Sequence, residues 1–183
     1  NQKESNHLDI RRRIIDSFEK AISAAPENPF ILEIYASFAD YQIENGSYEE
    51  SLLMIQKALC VSQKFKYSGV FYYRLELERA YCLFRMGNVK KSLELYQEII
   101  IDLLPQQNVS EYRVALADIY RLAAFNLKAL GQYNRALEYN HKFLELISEI
   151  IPKNSFRYGE VYLSISGLYR RLERNPTAGI YSK

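Results

Sequence analysis

Tryptophan is absent from this chain of 183 residues, and cysteine, histidine and methionine occur only twice each. Two cysteines cannot build a disulfide framework, and Cys60 and Cys82 lack the CxxC spacing of a redox or metal pair. Both lie in apolar helical stretches, so buried free thiols and a reducing, cytoplasmic setting are expected. His7 and His141 stand far apart, with no HExxH or Cys–His metal spacing around them. No GxxxxGK[ST] phosphate loop and no GxGxxG turn occurs. Glycine and proline are scarce, at 7 and 5. They fall between apolar-periodic stretches, whereas sandwiches and barrels need a turn roughly every 8–12 residues. No charge of one sign dominates: 24 basic and 22 acidic residues leave a formal net charge of +2. General nucleic-acid binding, which needs a basic footprint, is disfavoured. No apolar run reaches the roughly 18 residues that would cross a membrane, so no membrane partner is expected.

What the chain does have is apolar content, at 48%, with 16 tyrosines and 9 phenylalanines. That suffices for a sizeable core and excludes disorder. It also has internal repetition. Ile43-Glu44-Asn45-Gly46-Ser47-Tyr48-Glu49-Glu50-Ser51-Leu52 is echoed around Gly87 and again around Gly131. Each copy reads as a helix end, a glycine, a polar residue, an apolar residue, then a new helix. Seven residues before the glycine stands Ala39, Ala80 or Ala124; five after it stands Ser51, Ser92 or Ala136. Small residues at those offsets let two antiparallel helices approach closely. Eleven before it stand Tyr35, Glu76 and Tyr120, so the second copy departs from the aromatic. Gly46 and Gly87 are 41 residues apart, and Gly87 and Gly131 are 44 apart, within the range of helical repeats.

A fourth copy aligns over Gly159 to Lys183 with Glu173 in the glycine's place. At the front, Arg11 to Ala25 reads as the second helix of an earlier unit. The periodicity places helices at about 8–25, 30–45, 48–64, 69–86, 89–104, 109–130, 133–151, 155–172 and 176–182. The breakers Pro26, Pro29, Ser68-Gly69, Pro105, Pro152-Lys153-Asn154 and Asn175-Pro176 agree. One domain is expected over residues 1–183. It comprises a partial repeat at about 8–28, repeats at about 30–66, 69–106 and 109–152, and a partial repeat at about 155–183. The first residue, Asn1, is not methionine, so the chain is expected to be a processed or excised piece of a larger protein.

The small-residue, Gly-x-aromatic and closing Ala/Pro pattern resembles the tetratricopeptide repeat, in the long variety of kinesin light chains. Ser166-Gly167-Leu168-Tyr169-Arg170-Arg171-Leu172 is especially similar to that variety. The resemblance covers nearly the whole chain. It implies an all-α fold of antiparallel helix pairs stacked into a right-handed superhelical solenoid. It further implies a concave face, lined by each repeat's first helix, that holds a peptide or partner segment.

Residues thirteen, ten, six and two or three before each glycine share one face of a helix. By the resemblance this stripe faces the groove. It holds Glu33, Ala36, Asp40, Ile43 and Glu44 in the first full repeat. In the second it holds Arg74, Leu77, Tyr81, Phe84 and Arg85. In the third it holds Asp118, Arg121, Phe125, Lys128 and Ala129, and in the fourth Glu160, Leu163, Gly167, Arg170 and Arg171. The groove thus begins acidic and turns basic and aromatic. Arg74, Tyr81, Phe84, Arg85, Arg121, Phe125, Lys128 and Arg170 are the candidate ligand-binding residues, suited to acidic or aromatic peptide segments. The carboxylate-clamp function of some relatives is disfavoured, because Ala36 and Asp40 occupy the positions it needs.

The expected function is a protein- or peptide-binding scaffold within a larger cytoplasmic regulatory protein, without catalysis, metal or cofactor. Alternatives are a peptide-gated sensor of a bacterial signalling regulator and an RNA-binding helical repeat. Glu49-Glu50 and Glu76/Glu78 read as solvated helix faces, and His141 as a surface histidine. Self-association through an open C-terminal end, Ala178 to Lys183, is a further possibility.

Overall fold

The structure is a computed structural model that describes residues 2–24, 28, 30–66, 69–148, 150–152 and 154–174, with side chains from residue 9 onward. Eight α-helices account for most of them: α1 (Gln2–Ala24), α2 (Ile31–Glu44), α3 (Tyr48–Lys64), α4 (Val70–Arg85), α5 (Val89–Leu103), α6 (Ser110–Ala129), α7 (Tyr133–Ile147) and α8 (Phe156–Arg174). A single 3-10 turn, Leu104–Gln106, follows α5 where Pro105 withdraws its N–H. No strand occurs among the described residues. The expected last helix, at about 176–182, lies outside them, as do Pro26, Pro29, Lys153 and Ala178.

Gly46, Gly87 and Gly131 end α2, α4 and α6 with the same hydrogen bonds. Each glycine N–H donates to the carbonyl three residues back: Ile43, Phe84 or Lys128. The next N–H, of Ser47, Asn88 or Gln132, donates to the carbonyl five back at 2.9 Å. This Schellman closure requires a left-handed residue, and the three glycines have φ of 74°, 82° and 74°.

The chain divides into two compact units, residues 1–78 and 79–183, with the division inside α4. In the first unit α2 packs on α3 through Ala36, Phe38, Ala39, Met54, Ile55, Ala58 and Leu59. Phe18 of α1 stacks on Phe38 with ring centroids 4.7 Å apart. In the second unit α5, α6, α7 and α8 pack in succession. Tyr96, Leu103, Leu116, Ile119, Leu127, Phe143, Val161 and Leu168 fill their core.

The small residues expected between paired helices also bond across them. Ser51 Oγ donates to the Ala39 carbonyl at 3.1 Å, and Ser92 Oγ to the Ala80 carbonyl at 2.6 Å. In the third pair the equivalent residues, Ala136 and Ala124, are both buried and carry no hydroxyl. A buried amide joins the second pair: Asn126 Nδ2 donates to Ser92 Oγ at 2.7 Å and to the Val89 carbonyl at 3.4 Å.

Three sequence expectations change. Helix α1 starts at Gln2 rather than near residue 8, since no proline or glycine stands ahead of Leu8 to stop it. Cys82 is buried, but Cys60 is exposed. The buried stripe of α3 runs through Ser51, Met54, Ile55, Ala58, Leu59 and Ser62, and Cys60 falls one helical step off it. Glu76 is buried and Glu78 has only 15% of its side chain exposed, so neither belongs to a solvated face. Glu76 stands at the offset where other repeats place a tyrosine, and that position points inward.

Candidate functional site

The predicted groove residues fall into distinct surroundings. Arg74 belongs to the first unit. Its Nε donates to Glu78 Oε1 at 2.9 Å and its Nη2 to Asp40 Oδ2. Arg74 is therefore engaged within the chain rather than free for a ligand.

The other seven lie in the second unit. Arg85, on the last turn of α4, donates to the Tyr81 hydroxyl at 2.6 Å. Its guanidinium lies 5.6 Å from the Tyr81 ring centre, a cation–π contact that holds both side chains in place. Arg121 of α6 stands beside two carboxylates, Asp118 at 3.6 Å and Glu160 of α8 at 3.9 Å. Asp118 also accepts two hydrogen bonds from Arg157 of α8, at 3.2 and 3.3 Å. Two guanidinium groups and two carboxylates thus cancel in a partly buried network.

Phe84, Phe125 and Lys128 come together. With Ala129, Tyr133 and Arg171 they line one depression of about 440 Å³. Phe125 is 39% exposed. The side chains of Lys128 and Arg171 have no ion-pair or hydrogen-bond partner among the described residues. No acidic side chain lines the depression. Gly167 supplies room on α8: a Cβ there would lie 3.9 Å from Lys128 Nζ. Phe84 and Lys128 each stand three residues before a Schellman glycine, Gly87 or Gly131. Such a surface has apolar rings to cover and two cations to neutralise. It suits an anionic segment carrying a bulky apolar side chain.

Arg170 lies elsewhere. It lines a second depression on α8 with Tyr162, Ile165, Ser166, Tyr169, Leu172 and Glu173. Adjacent residues on a helix point about 100° apart, so Arg170 and Arg171 serve different faces. Two residues of the site went unnoticed in the sequence. Tyr133 was visible only as the aromatic two places after a glycine, and Arg157 lies one turn ahead of the stripe. Among the described residues no group of three His, Cys, Asp or Glu side chains could hold a metal. No described helix is long and apolar enough to cross a membrane.

No family model and no curated protein sequence matches the chain. Solved structures do. BtubC (BKLC) from P. vanneervenii superposes with a TM-score of 0.69 at 20% identity, over 90% of this chain and 65% of that one. This chain therefore spans less than two thirds of BtubC. The nearly identical TPR-like repeats of a protein described as a kinesin light chain of Podosopora anserina give 0.67 at 15% identity, over 83% and 72%. A single-residue variant of those repeats gives 0.65 at 15% identity, over 83% and 71%. At these identities the likeness is one of architecture, and it agrees with the three Schellman-capped helix pairs. The chain has the all-α fold of the tetratricopeptide-like repeat proteins.

Proposed function

We propose that this chain is a protein- or peptide-binding scaffold. Its second unit holds a partner segment against the depression of Phe84, Phe125, Lys128, Tyr133 and Arg171. One observation carries this reading: two cations whose side chains have no partner flank partly exposed rings in a recess that contains no acid. An acidic residue of the partner lies against Lys128 and Arg171, and an apolar or aromatic one covers Phe84 and Phe125. Tyr81 and Arg85, held by each other, extend the surface along α4. The reading needs no catalytic group, metal or cofactor. Two free thiols, one of them exposed, agree with a reducing, cytoplasmic setting.

Selection from a displayed library of random peptides tests it. The unsubstituted chain is expected to enrich acidic peptides with bulky apolar neighbours. The double variant Lys128→Glu/Arg171→Glu should bind them at least about tenfold more weakly, with unchanged helicity by circular dichroism. Equal binding by both proteins removes the depression as the site. Enrichment of no peptide, together with salt-steep binding of single-stranded RNA, favours the nucleic-acid alternative.

A further inference from the structure

We propose that Glu78, bonded to Arg74 and facing Asp40, keeps a proton in the folded chain, and that the contact between α2 and α4 loosens once that proton is lost. Arg74 bonds to both carboxyl groups, so one positive charge faces two acids. The two carboxyl groups also lie within hydrogen-bonding reach of each other. Two carboxylates cannot bond to one another, whereas a carboxylic acid and a carboxylate can. Glu78 Oε2 is buried and accepts no hydrogen bond in the structure. A bare carboxylate oxygen left that way loses its hydration without compensation, and a proton on the pair removes the defect.

The charged groups acting on Glu78 are Asp40 from α2 and Arg74 from its own helix. Burial first, and then the charge of Asp40, push the Glu78 carboxyl up to about 7 against the opposing pull of Arg74. A carboxyl raised in this way binds its proton more tightly in the folded chain than in the unfolded one. Its contribution to stability is complete below the ordinary glutamate range and is lost as pH rises through about 7. Above that point a second negative charge appears in a site with a single cation, and the α2–α4 contact carries the repulsion.

The test is a pH titration of the whole chain with 13C-labelled glutamate carboxyls, followed by NMR. One carboxyl resonance is expected to titrate with a midpoint near 7 and to be missing from Glu78→Gln. In Asp40→Asn that midpoint should fall by about one unit or more. Thermal unfolding gives a second reading: Glu78→Gln should gain on the unsubstituted chain between about pH 5.5 and 8.5. The proposal is overturned if every glutamate titrates below about pH 5.5, or if the melting difference is the same at both ends of the range. The unsubstituted spectrum decides even where a variant fails to fold.

Discussion

The two units share one construction, a helix closed by a Schellman glycine and followed by an antiparallel partner, yet they fill it with different polar chemistry. In the first unit Ser51 donates to the Ala39 carbonyl. In the second, Ser92 makes the same bond and also receives one from the buried amide of Asn126. The charged clusters differ as well. Asp40, Arg74 and Glu78 join two acids to one cation, whereas Asp118, Glu160, Arg121 and Arg157 join two acids to two cations. Similar helices therefore hold one cluster in need of a proton and another that is electrically complete. The lesson is that charge stoichiometry decides what a cluster does, even where the backbone frame is repeated.

The serines offer the largest expected contrast. Ser92→Ala leaves the Asn126 amide, which is 1% exposed, with only its long bond to the Val89 carbonyl, and should cost about 2 kcal/mol. Ser51→Ala removes the donor to the Ala39 carbonyl, which α2 already uses, without stranding a buried amide, and should cost about 1 kcal/mol. Urea unfolding of both variants measures the gap. Equal costs would mean that Asn126 finds another partner.

Next in size are the acids. Asp118→Ala leaves Arg121 and Arg157 with only Glu160 between them, and should cost about 2 kcal/mol because the site is partly buried. Asp40→Ala leaves a one-to-one pair of Arg74 and Glu78, and should cost less than about 0.5 kcal/mol at neutral pH. If the two variants unfold at the same urea concentration, stoichiometry is not the deciding factor.

The same comparison shows what the sequence could reveal. Helix spans and glycine caps were readable because they follow local rules: periodicity of apolar residues, and a left-handed residue at a helix end. The observed α3 and α4 differ from the expected spans by at most one residue at each end. The partners of the charges were not readable. Asp40 and Arg74 are 34 residues apart, and Asp118 and Arg157 are 39 apart, so their pairing depends on the register between neighbouring repeats. Hence Arg74 and Arg121 looked available for a ligand when each already faces carboxylates. Burial of Glu76 did leave a trace, since it occupies the inward offset of Tyr35 and Tyr120. Arg170 and Arg171 stand about 100° apart on one helix, and it is Arg171 that lines the depression with Lys128.

The smallest effect separates the depression from the helix that borders it. Gly159 and Gly167 both lie inside α8, where glycine costs roughly 0.5–1 kcal/mol relative to alanine. Neither has a positive φ, and a Cβ at Gly159 meets nothing within 4 Å. Gly159→Ala should therefore stabilise the chain by up to about 1 kcal/mol and leave peptide binding alone. Gly167→Ala should give a similar gain, but its new methyl group reaches ordinary contact with Lys128 Nζ. A larger residue, as in Gly167→Leu, would displace that ammonium from its place beside α8. Melting temperatures should rise in both alanine variants, while affinity for a selected acidic peptide should fall only along the Gly167 series, steeply at leucine. If Gly167→Leu binds as tightly as Gly159→Ala, Lys128 does not touch the ligand, and the anion must be held by Arg171 alone.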